Sequence, residues 1–155
     1  MEFVPAHLAI APILIPLVVG ALMLLFDDRE RRLKTALSVI SVLALIGVAV
    51  LLLRRAHFGS EPVTLVYLLG NWPAPIAINL VADRLSAIML TLTAVLALPA
   101  MIFASERWEK VGPNFHSLFQ FLLVGLNGAF LTGDLFNLFV FFEVMLAASY
   151  GLALH

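Results

Sequence analysis

The run from Leu135 to Leu154, LFNLFVFFEVMLAASYGLAL, decides most of what this chain can become. A helix of about 20 residues, at a rise of about 1.5 Å each, matches the hydrocarbon core of a bilayer. Glu143 stands ninth in the run, near the midplane of a spanning helix, and is its only charged residue. An acid at that depth costs roughly 2.5–3.5 kcal/mol on insertion scales, while each Leu, Phe or Val returns roughly 0.3–0.6 kcal/mol. The apolar residues outweigh the acid, so the helix inserts with the charge aboard. A lone desolvated carboxylate is a poor structural device. Glu143 is therefore the leading candidate for a functional residue.

The rest of the composition agrees with a membrane solvent. Hydrophobic residues make up 63% of the 155-residue chain and charged residues 12%, against about 25% charged in soluble domains. The net charge of −1 offers no basic footprint for nucleic acid. With no cysteine and four scattered histidines, neither thiolate chemistry nor a metal or cofactor motif is readable. The expectation is a membrane chain without cofactor or metal, not an enzyme. Met1-Glu2-Phe3-Val4 lacks the basic start of a signal peptide, so the first apolar run is read as a retained helix.

Hydropathy predicts an all-α membrane protein with five transmembrane helices, at about 4–26, 35–53, 85–104, 115–131 and 135–154. Pro12 and Pro16 should bend the first, and the carbonyls they free need a neighbour or water. A static kink packed on a neighbour is favoured over a hinge. The charged stretch 27–34 reads as a solvated connector, and Lys34 and Lys110 both fall in connectors. Between spans two and three, Val63–Leu69 and Ile76–Val81 are strand-like about a turn at 70–75, as in a short β-hairpin or an extended interfacial loop. Tyr67 and Trp72 read as interfacial anchors. Asp83 and Asp134 stand where spans three and five begin and read as helix caps.

On span four, His116, Gln120 and Asn127 fall on one face at 100° per residue. They are either a polar lining near Glu143 or interhelical hydrogen-bonding groups. His116 lies near the interface, where a solvated ring is expected. The short turn at Thr132-Gly133-Asp134 makes spans four and five antiparallel. Gln120 and Asn127 then flank the level of Glu143 by roughly 5–6 Å along the axis. Ala147 and Gly151 lie on nearly the face of Glu143, so that face is expected to look into a bundle.

Connectors 27–34 and 105–114 hold six Lys or Arg, and the remaining three lie in 54–84. The excess predicts an N-terminus outside and a cytoplasmic C-terminus. Desolvation favours the protonated form of a carboxylate and a nearby cation favours the charged form. Alternating the two is a recipe for proton uptake and release. No Lys or Arg lies inside a predicted span, so another segment or chain must supply the cation. By itself the chain is expected not to transport.

NWPAPIAINLVADRLSAIML (71–90) and GLNGAFLTGDLFNLFVFFEVMLAASYGL (125–152) resemble the D subunit of Mrp-type multisubunit Na+/H+ antiporters. The wider family holds the antiporter-like, proton-translocating subunits of respiratory complex I. The resemblance implies two inverted helix repeats, with residues 1–114 as peripheral helices one to three. Residues 115–155 would then be helices four and five, opening the first repeat, in a chain that is either a truncated or split subunit or a genuine short subunit completed by another chain. It implies that Glu143 pairs with a lysine further along such a subunit and takes up and releases protons. It implies further antiporter subunits, the lipid bilayer, protons and Na+ as partners, in a bacterial inner membrane. Two other expectations stay open: a pumping subunit of complex I or a membrane hydrogenase, and a non-transporting structural fragment.

Overall fold

In the computed structural model, residues 7–26, 30–58, 64–72, 78–107 and 114–154 are described below. Five helices and one hairpin account for nearly all of them. They are α1 (Ala11–Leu25), α2 (Arg31–Phe58), β1 (Leu65–Leu68), β2 (Asn79–Ala82), α3 (Arg84–Arg107), α4 (Phe115–Leu131) and α5 (Leu135–Ala153). α2, α3 and α5 are long and apolar enough to cross a membrane, while α1 and α4 are shorter apolar helices. The expected starts at residues 4–6, the charges at 27–29, the turn residues 73–77, the connector 108–113 and His155 lie outside the described residues.

α1 begins later than the expected span. Both Ile13 and Leu14 donate their amides to Ile10 O, and the regular helix starts at Ala11. Pro12 thus sits in the first turn, where its missing N–H would find no partner in any case. Only Pro16 interrupts the helix interior.

α2 is longer than its apolar core at both ends. Lys34 donates its amide to Glu30 O, so the first turn runs through the residues expected to form a connector. Lys34 is consequently helical and only 3% exposed, where the sequence placed it in a loop. Its four-carbon stem can lie along apolar neighbours, which hydropathy counts do not register.

The hairpin is antiparallel, pairing Leu65 with Ala82 through Leu68 with Asn79. Gly70 takes φ +69° at the turn, a conformation that favours glycine. Tyr67 packs edge-on against His7, and Trp72 is exposed beside the turn. The hairpin does more than anchor. Gly133 donates its amide to Asn79 O at 2.9 Å, and Thr132 bridges to Leu80, so the α4–α5 turn is sewn onto β2. A side chain on Gly133 would meet Val81 at 2.7 Å.

α4 is the hub, packed on α1 and α5 and touching α2, α3 and β2. One apolar cluster, with Leu52, Leu80, Leu90 and Leu131, fills the hairpin end. A second, with Val42, Leu45, Ala97 and Leu123, fills the other. α5 packs chiefly on α4, through glycine. A Cβ on Gly125 would lie 2.7 Å from Met145 backbone, and one on Gly128 would collide with the Phe141 ring. Gly125→Val and Gly128→Val should therefore cost about 1–3 kcal/mol each as overpacking. Gly47, with nothing within 4 Å, should accept Ala at no cost. Thermal unfolding of the three variants in detergent checks this, and a Gly125→Val protein as stable as the parent would refute the glycine contact.

Candidate functional site

Glu143 lies in the middle of α5, and it is exposed. The contacts of α5 with α4 run through Phe141 and Met145 against Gly128 and Gly125, and through Gly151 against Leu118. At 100° per residue, Phe141 and Met145 stand about 160° round the helix from Glu143. The carboxylate therefore points away from α4. Around it on the same face lie Phe136, Phe139, Val140, Leu146 and Tyr150, all exposed. Ala147 is exposed as well. Within this chain the Glu143 face does not look into the bundle, as the small residues suggested. The small residues that admit a close neighbour are mainly those of α4.

Three attachments set the depth and rotation of α5. Asp134 Oδ1 accepts from Phe136 N at 3.1 Å, an N-cap that satisfies a free amide of the first turn. Asp134 Oδ2 accepts from Asn137 Nδ2 at 2.8 Å, and Asn137 is buried. The Gly133–Asn79 bond ties the preceding turn to the hairpin. Glu143 thus sits a fixed number of turns from an immobilised end.

The polar stripe of α4 is turned elsewhere. Gln120 is fully buried, accepts from Ser41 Oγ at 2.9 Å and donates to Ser38 O at 3.5 Å. Asn127 is 2% exposed and donates from Nδ2 to Pro12 O at 2.8 Å. His116 is half-buried, with Nε2 3.2 Å from Thr35 Oγ1 and Nδ1 3.2 Å from Ser38 Oγ. All three face α1 and α2. Gln120 and Asn127 flank the level of Glu143 but point away from it, and His116, at the far end of α4, is held between hydroxyls where a solvated ring was expected. A polar side chain in apolar surroundings takes whichever protein partner is in reach.

The partner of Asn127 has a local cause. Pro16 has no N–H to donate to the carbonyl four residues earlier, which is Pro12 O. In hydrocarbon that acceptor would go unmet. Asn127 supplies the missing donor from the neighbouring helix, which makes the bend of α1 a static kink packed on α4.

On the hairpin side, Asp83 Oδ1 accepts from Ser86 N at 2.7 Å at the start of α3. That bond to the Ser86 amide, with help from its hydroxyl, holds the Asp83 carboxyl below the ordinary value of 3.8. Among the described residues, no three His, Asp or Glu side chains converge as a metal site would require.

Sequence reasoning missed the hydroxyl ladder of α2. Thr35, Ser38 and Ser41 recur every third residue on an otherwise apolar helix. That spacing was the available signal, and it turns toward His116 and Gln120.

No family model matches the chain. It is 58% identical over 96% of its length to the probable K(+)/H(+) antiporter D subunit of Rhizobium meliloti, of which it spans 28%. It is 42% identical over 93% of its length to the Na(+)/H(+) antiporter D subunit of Alkalihalophilus pseudofirmus, of which it spans 29%. Its fold matches a chain in the structure of the Mrp complex from Dietzia sp., with TM-score 0.84 and 32% identity over 97% of this chain and 27% of that one. The class is thus a multi-pass membrane protein of helices. Over the part it spans, the chain is similar to the D subunits of cation/proton antiporters. It covers less than a third of the length of the curated relatives it matches.

Two measurements follow. Asn127→Ala should cost about 1–3 kcal/mol, the penalty of a buried acceptor left unmet. In a Pro16→Ala background, where residue 16 again offers an N–H, that penalty should shrink. Additive effects in thermal unfolding would show that Asn127 does not serve the proline. For Asp83, a lowered folded value means that the cap stabilises fully above pH ~4 and is lost as pH falls through the lowered value. Exchange of the Ser86 amide should accelerate over that window and, in Asp83→Asn, lose the pH dependence due to the cap.

Proposed function

We propose that this chain is the part of a Mrp-type cation/proton antiporter D subunit that presents a proton-exchanging carboxylate, Glu143, near the membrane midplane. The observation that carries the reading is the placement of Glu143. It is the sole acid in the interior of a described helix, on a face that the rest of this chain leaves uncovered. The relatives are more than three times as long as the matched stretch. In the assembled protein the remaining helices cover this face and bring a cation beside the carboxylate. Residues 1–114 then serve as peripheral helices, and residues 115–155 open the first inverted repeat. Other antiporter subunits complete the complex.

Proton exchange follows from environment. Burial away from water favours the neutral form of a carboxylic acid and an approaching cation favours the charged form, so a partner that comes and goes can drive exchange. The attachments at Asp134, Gly133 and the α4 glycines keep Glu143 at one depth while its partner changes. Gln120 and Asn127 support this by fixing α4, not by lining the path.

The antiporter reading outranks a respiratory pump because the curated relatives quoted above are antiporter D subunits. Their names divide between K(+) and Na(+), so the exchanged ion is a monovalent cation of that pair. Basic residues give the membrane orientation. The ends of α2 and α4 that meet at Thr35, Ser38 and His116 lie beside the richer connectors and face the cytoplasm. The hairpin and the N-terminus lie outside, in a bacterial inner membrane.

In vesicles holding the assembled complex, Glu143→Gln should abolish proton movement driven by Na(+) or K(+), read with a pH-sensitive dye. Glu143→Asp, which keeps a titratable group on a shorter stem, should retain part of it. Wild-type flux through the Gln variant would end the proposal.

A further inference from the structure

At the end of the bundle where α2 and α4 both begin, the hydrogen bonds around His116 can be counted proton by proton. Thr35 has one hydroxyl proton, and Thr35 Oγ1 donates it to Arg31 O at 3.0 Å. Its contact with His116 Nε2 is then one in which Nε2–H donates and Thr35 Oγ1 accepts. In the neutral ring Nδ1 is therefore a bare acceptor, and Ser38 Oγ at 3.2 Å donates to it. Ser38 also has a second acceptor in reach, Met23 Sδ on α1 at 3.6 Å. Ser38 is fully buried, and so is Met23.

This arrangement satisfies the imidazole in both charge states. When a proton from the aqueous side bonds to Nδ1, the Ser38 hydroxyl hydrogen turns from Nδ1 to Met23 Sδ. Ser38 Oγ then accepts from Nδ1–H, while Nε2–H continues to donate to Thr35. No hydrogen bond is abandoned, no covalent bond other than the new N–H changes, and the site gains one positive charge. A ring held only as a structural strut would need one set of partners, not a hydroxyl with two acceptors.

We propose that His116, with Thr35, Ser38 and Met23, is a proton-binding site separate from Glu143, exchanging protons with the solution at the α2–α4 end of the bundle. α4 stands between it and the Glu143 face, so the two are independent. Among the described residues, the charged group placed against the ring is Lys34, buried on α2. From α1 the facing group is Met23, and on α5 the residue packed at this level is Gly151, against Leu118; both are uncharged. On its own helix the ring meets Phe115 edge-on, with centroids 5.5 Å apart.

The test is nitrogen NMR of the chain labelled with 15N-histidine in lipid nanodiscs, with His116→Gln identifying the His116 signals. At high pH the ring should be the Nε2–H tautomer, and it should become doubly protonated in one step as the pH is lowered. Met23→Leu removes an acceptor used only by the protonated form. It should weaken proton binding about threefold and leave the neutral tautomer unchanged. In a Ser38→Ala background the same Met23→Leu change should have no effect, and Glu143→Gln should leave the titration as it is. An Nδ1–H tautomer, no second ring protonation at any pH at which the chain stays folded, or an equal Met23→Leu effect with and without Ser38 would overturn the proposal.

Discussion

The carbonyl of Pro12 lacks its helical donor, and the architecture of the bundle answers that problem. Pro16 cannot donate to it, and the donor comes across from Asn127 at 2.8 Å. This bond joins α1 to α4 at the hairpin end. Further along the same helix, Gln120 joins α4 to α2 through Ser41 and the Ser38 carbonyl. α4 is thereby held in rotation by amides on one side. On its other side Gly125 and Gly128 leave room, and α5 closes onto them.

The rotation of α4 determines what α5 can present. Gly125 and Gly128 admit the Met145 backbone and the Phe141 ring, and no larger residue would. Once those contacts form, Glu143 must stand on the opposite face. The hairpin fixes the remaining freedom, because the Gly133–Asn79 bond and the Asp134 cap set how deep α5 starts. Position along α5 and direction are thus both fixed for the Glu143 carboxylate.

Much of this was legible in the residues. Apolar length marked the five helices, and the Gly-Asn-Trp-Pro stretch between two β-rich runs marked the hairpin. The spacing of Asp134 before an apolar run marked a cap, and a lone acid nine residues into that run marked the candidate site. Direction was not legible. Gln120 and Asn127 share a level with Glu143, yet a helix has a full circle of directions and sequence spacing gives only relative ones. Lys34 was placed in a loop because hydropathy weighs its charge and ignores its stem. The Thr35, Ser38 and Ser41 ladder was visible as a three-residue spacing, but hydroxyls on an apolar helix carry no weight until something faces them.

The sequence by itself determined the solvent, the number and order of helices, and the presence of a lone acid in the middle of the last one. These follow from apolar length and from the cost of burying charge, both properties of single segments. Only the tertiary structure decided which faces meet, because that depends on pairs: glycine against a ring, an amide against a carbonyl that a proline has freed. Those pairs lie as far apart as Pro12 and Asn127 in the chain, and no local pattern announces them.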